Sequence, residues 1–81
     1  MVPYTMVTTL ERLRIERGLS RHQVARLAHV NRKTLKRLEE GVGEPRAATI
    51  QKLAQFYGVR PDWLLTEFRR DRFEVDHARA A

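Results

Sequence analysis

From Thr8 onward, apolar side chains recur three and four residues apart in short bursts, each bracketed by residues that start or stop helices. Thr8 with Glu11 fits a capping box, Leu10, Leu13 and Ile15 follow, and Gly18 supplies a stop, which predicts a helix over 9–17. Ser20 with Gln23 repeats the box. Leu19 and Val24 flank it as a hydrophobic staple, and Val24, Leu27 and Ala28 share one face, giving a second helix over 21–28. The pattern restarts at once, with Asn31 as N-cap, Val30 and Leu35 as the next staple, Leu38 facing the core and Gly41 as terminator of a third helix, 32–40. Gly41-Val42-Gly43-Glu44-Pro45 reads as a loop on composition. Ile50, Leu53, Ala54 and Tyr57 mark a fourth helix over 47–57, closed by Gly58. Pro61 and Asp62 open a fifth, whose apolar side is Trp63, Leu64, Leu65 and Phe68.

Beyond Arg69 the periodicity fades, and strand signals are nearly absent throughout. The expected architecture is all-α, a compact five-helix domain over 8–68 between an N-terminal arm, 1–7, and a C-terminal extension, 69–81. That extension is either a dimer contact or a tail, although Phe73 and Val75 are too apolar for a purely solvated one.

Composition narrows the class. Eighty-one residues allow one domain, and 42% apolar with 32% charged types suits a small core of modest stability. With no cysteine there is no disulfide, thiolate metal site or cysteine nucleophile. No run approaches the roughly 18 apolar residues of a membrane span, and Met1–Val7 lacks the basic and apolar regions of a signal peptide, so a soluble cytoplasmic protein is expected.

Charge is unevenly placed. The net +6 divides into nine basic and four acidic residues over 1–41, against seven and six over 42–81. Between Ser20 and Leu38 stand Arg21, Arg26, Arg32, Lys33, Lys36 and Arg37 with no acid among them. A single-sign field of that kind suits a polyanion; an arginine-rich composition (13 Arg, 3 Lys) with a solvated basic face is the plainer alternative. Catalysis finds little support. His22, His29 and His77 lack the i, i+3 or i, i+4 spacing of metal ligands on one helix face. There is no glycine-rich phosphate loop and no nucleophile motif, and neither cofactor nor metal is expected.

Helices 2 and 3, joined by about three residues, have the helix-turn-helix arrangement. Val24, Ala25, Ala28, Val30, Leu35 and Leu38 are the apolar positions of the two helices and their turn. Glu39-Glu40-Gly41 closes helix 3, and Pro45, Thr49, Ile50, Lys52, Leu53 and Ala54 follow in a fixed run. Gly58-Val59 and Asp62-Trp63-Leu64-Leu65 form the next junction. In this order and spacing, from Leu10 to Leu65, the chain resembles the Xre/Cro/cI family of lambda-repressor-like DNA-binding domains. His29 departs from it, standing where the family usually has glycine, at roughly 1 kcal/mol if φ is positive.

The resemblance implies a recognition helix lying in the major groove. Arg32, Lys33 and Arg37 match the family's base-reading positions, and Lys36, on the same face, reads a base or holds a phosphate. Arg32 and Lys33 suit guanine O6 and N7, which predicts G-containing half-sites. Arg21 matches a position that contacts phosphate and braces the recognition helix. Ser20, mainly a cap, stands beside it. Arg46 and the loop glycines, Gly43 among them, would approach the phosphates of the other strand, although Glu44 opposes this. Arg17 and Arg26 read as solvated, with phosphate contact as the lesser alternative. Arg14 and Glu39 match a structural ion pair between helices 1 and 3. The family commonly dimerises through its last helix, so Trp63, Phe68 and Phe73 are candidate dimer contacts, Trp63 equally a residue that closes the core. The function implied is a sequence-specific duplex-DNA-binding transcriptional regulator, a repressor acting as a homodimer on a near-palindromic operator. An antitoxin or protein-docking module of the same fold, and a restriction-modification controller, are the alternatives.

Overall fold

The structure, a computed structural model, describes residues 7–80, with side chains described over 7–74. The helices are α1 (Thr9–Glu16), α2 (Arg21–Ala28), α3 (Arg32–Glu39), α4 (Ala47–Tyr57) and α5 (Pro61–Ala80), and no strand occurs among the described residues. The predicted arm therefore lies outside the described residues apart from Val7.

The starts of α1, α2 and α3 have the caps expected of them. The Ser20 hydroxyl accepts from the Gln23 N–H at 3.1 Å while the Gln23 side chain accepts from the Ser20 N–H at 2.8 Å, a complete capping box. Asn31 Oδ1 accepts from the N–H groups of Lys33 and Thr34 at 2.8 and 3.3 Å. At α1 the Thr8 hydroxyl accepts from the Glu11 N–H at 3.4 Å and donates to the Glu39 carbonyl at 2.6 Å, so the cap also binds α1 to α3.

The core gathers Leu10 of α1, Val24, Ala25 and Ala28 of α2, Leu35 and Leu38 of α3, Ile50, Leu53 and Tyr57 of α4, and Leu64 and Phe68 of α5. Ala25 of α2 is buried, and α2 packs against α3. The turn between these helices is closed by His29 in the left-handed region, φ 59° and ψ 46°, the conformation anticipated for a residue replacing glycine.

Three expectations need correction. Leu27 is half exposed, because the inward stripe of α2 runs Arg21, Val24, Ala25, Ala28 at i, i+3, i+4, i+7 and leaves residue 27 at its edge. Ile15 is exposed for the same reason, since the inward stripe of α1 is Leu10, Leu13, Arg14. The third concerns α5, which does not weaken at Arg69 but continues to Ala80. Its inward positions past Phe68 turn polar while the helix goes on. Asp71 Oδ2 accepts from the Thr9 N–H at 2.7 Å, capping α1 from across the fold, and Arg72 pairs with Glu44 in the loop between α3 and α4.

Candidate nucleic-acid interface

α3 is amphipathic in a particular sense: one side is core and the other is positive. Leu35, Leu38 and Glu39 are buried, whereas Arg32, Lys33, Lys36 and Arg37 are all exposed on one face. The one acidic residue of α3 is thus withdrawn from the surface that carries its four cations. Withdrawal of a carboxylate requires partners. Glu39, 1% exposed, has two. Arg14 Nε donates to Glu39 Oε2 at 2.8 Å and Oε1 at 3.1 Å, and Arg21 Nε donates to Oε1 at 2.8 Å. Arg14 Nη1 also donates to the Leu19 carbonyl at 3.0 Å. The hydrogen bond that Arg14 donates to Glu39 holds its guanidinium above its already high range, against the cost of burying it. The predicted Arg14–Glu39 pair is therefore brought together, and Arg21 completes it as a triad joining α1, α2 and α3. Of the two tasks expected of Arg21, bracing the recognition helix is the one this geometry serves directly.

A groove of about 440 Å³ runs beside the basic face, between the start of α3, the loop 41–46 and α4. Its charged lining comprises Arg37, Arg46, Lys52 and Glu44, with Asn31, Thr34 and Thr49 as neutral polar groups. Lys52 Nζ donates to the His29 carbonyl at 3.2 Å, tying α4 to the helix-turn-helix turn. Gly43, φ 85°, sits at the rim, where a Cβ would meet Arg37 Nη2 at 3.6 Å. The conformation, more than the space, is what asks for glycine there. α4 begins at Ala47 without a side-chain cap, so its first N–H groups are left to water or an anion. Gly43 and Arg46 line this groove, and Ser20 and Arg46 are exposed.

The remaining assignments divide. Arg17 is not merely solvated: its Nη2 donates to the Tyr57 carbonyl at 2.9 Å, and its guanidinium lies 4.9 Å from the Tyr57 ring centroid, clamping α1 to the end of α4. Arg26 is exposed, as expected. Phe68 is 3% exposed and packs in the core, which removes it as a dimer contact. Trp63, 41% exposed, does not close the core, and Phe73 is exposed as well. Sequence reasoning missed Asp71 and Arg72. The signal was their register: Asp71 follows Leu64 by seven and Phe68 by three, on the stripe that faces inward. Among the described residues no group of His, Asp and Glu is placed to hold a metal ion, and no helix is long and apolar enough to cross a membrane.

The helix-turn-helix family profile matches residues 10–64, two thirds of the chain, from α1 into the start of α5. The chain belongs to the helix-turn-helix family. This helix-turn-helix protein is also 43% identical over 47 residues to the cryptic phage CTXphi transcriptional repressor RstR of Vibrio cholerae. That match covers 58% of the present chain and 42% of the phage protein, so the chain spans less than half of this relative's length. No solved structure gives a significant match. The resemblance carried by Leu10–Leu65, and the five-helix fold it implied, therefore hold.

Proposed function

We propose that this helix-turn-helix protein is a sequence-specific regulator of transcription that binds duplex DNA with α3 in the major groove. The observation that carries this is the face of α3, where four exposed cations stand while its acid is buried beneath two arginines. Arg32, Lys33 and Arg37 read base edges, and Lys36 reads a base or holds a phosphate. Ser20, Arg21, Gly43 and Arg46 hold the phosphate backbone, Arg21 through the guanidinium nitrogens other than Nε. The phage relative is a transcriptional repressor by name, and repression is accordingly the direction assigned. Trp63 and Phe73, exposed on α5, are the dimer contacts in a homodimer that sets two recognition helices about 34 Å apart on a near-palindrome.

The test is selection from a random duplex library at about 150 mM salt, followed by sequencing. The expected product is a palindromic, G-containing motif with half-sites about one helical turn apart. A single half-site would retain DNA reading and remove the dimer. Binding without any enriched motif that vanishes as salt rises would reduce the basic face to general charge attraction.

A further inference from the structure

The loop 41–46 presents an awkward group to a polyanion. Glu44 is exposed on the groove whose other charged residues are Arg37, Arg46 and Lys52, and a bare carboxylate there repels phosphate. It is not bare. Arg72, from the part of α5 that lies beyond the apolar stripe, ion-pairs with Glu44. One residue earlier, Asp71 accepts the Thr9 N–H at 2.7 Å and fixes this stretch of α5 against α1. Arg72 is thereby held in register, its side chain 37% exposed against 70% for Glu44. The anchored partner is the arginine, and the group it restrains belongs to the loop.

We infer that Arg72 is a positioning residue for DNA binding: it neutralises Glu44 and holds the loop 41–46 in the shape that admits a phosphate to the groove. This rests on the DNA-binding reading above. It makes the affinity of the recognition surface depend on a residue of α5 that itself contacts no base. Arg72 acts through Glu44, so its removal matters only while Glu44 carries its charge.

The experiment is a two-by-two cycle of R72Q and E44Q, with R72K as the conservative variant, each bound to the selected duplex at two salt concentrations. Melting curves of all variants check that loss of this pair, half-buried at Arg72 and exposed at Glu44, leaves folding intact. Expected are a loss of about two- to fivefold for R72Q, the range of a surface ion pair, shrinking at the higher salt. R72Q made in the E44Q background should lose nothing further, and R72K should bind within about twofold of wild type. Equal losses from R72Q with and without E44Q would overturn the inference, because Arg72 would then act on DNA directly. So would an R72Q protein that binds as well as wild type, or an R72K protein that falls as far as R72Q. A wild-type chain that binds no duplex would overturn the underlying reading and this inference together, and is distinguishable from the other outcomes by that fact alone.

Discussion

Arg14→Ala and Arg21→Ala remove one arginine each from the same carboxylate, and their costs should differ severalfold. Arg14 is the more buried, with 14% of its side chain exposed against 32% for Arg21, and it spans both Glu39 oxygens and the Leu19 carbonyl. Breaking a fully buried pair costs about 3–5 kcal/mol, because the surviving charge is stranded. Arg21 remains in Arg14→Ala and partly compensates Glu39, so about 2–3 kcal/mol is expected. Arg21→Ala leaves Arg14 in place and should cost about 1 kcal/mol, the worth of one hydrogen bond at a partly wet site. For a domain of this size those figures correspond to falls in Tm of about 10–20 °C and about 5 °C. The double variant should cost more than the sum, since Glu39 then has neither arginine. Far-ultraviolet circular dichroism during heating and in urea, at neutral pH, measures all three. Arg21→Ala costing as much as Arg14→Ala, or a strictly additive double variant, would refute the assignment of Arg14 as the principal partner. The fraction of Arg14→Ala that remains folded should keep the base preference of wild type.

Other consequences are open to direct measurement. Arg32→Ala should weaken the selected site by about 1–3 kcal/mol and random duplex much less; equal losses on both would misplace the register of α3. The Tyr57 hydroxyl is buried without a hydrogen-bond partner among the described residues, so Tyr57→Phe should leave stability unchanged or raise it by up to about 1 kcal/mol, and a clear loss would show that the hydroxyl is satisfied after all. Burial also pushes the Tyr57 phenol up from 10.0 to about 12. The folded state then holds a proton that the unfolded state has lost, and the tyrosine's contribution, complete below pH 10, falls away as pH rises toward 12, by about 2–3 kcal/mol. Wild type should lose stability over that window relative to Tyr57→Phe, and parallel pH curves would contradict it. His29→Gly should stabilise by up to about 1 kcal/mol, because φ 59° is strained for histidine and the carbonyl that receives Lys52 is retained; a lower Tm would show that the imidazole has a structural task.

Where local physics decided the outcome, the sequence was readable. Ser20, Gln23 and Asn31 act on their immediate neighbours, so the starts of α2 and α3 followed from spacing, and the cations of α3 followed from a helical wheel. The pairing of Arg14 with Glu39 was accessible only through family resemblance, since its members are 25 residues apart. What escaped was polar chemistry on inward stripes. Arg21 occupies a core-facing position of α2, and Leu27, the more apolar residue, does not. Asp71 and Arg72 prolong the inward side of α5 in charged form, so a search for apolar periodicity stops at Phe68. Hydrophobicity locates a stripe while its contacts are greasy and loses it when they become ionic.

The cap that Asp71 gives Thr9 joins residues 62 positions apart. A chain emerging from the ribosome displays α1 long before the carboxylate that finishes its first turn exists. α1 must therefore wait, held by its own threonine and by side-chain packing, until α5 has been made as far as Asp71. Closure arrives late, through a loop of 62 positions, which raises the contact order above that of a simple run of neighbouring helices. In the finished molecule the same link makes the two ends of the fold a single opening unit. The Thr9 amide should exchange its hydrogen at the pace at which the Asp71 turn of α5 lifts away, however stable the core between them remains.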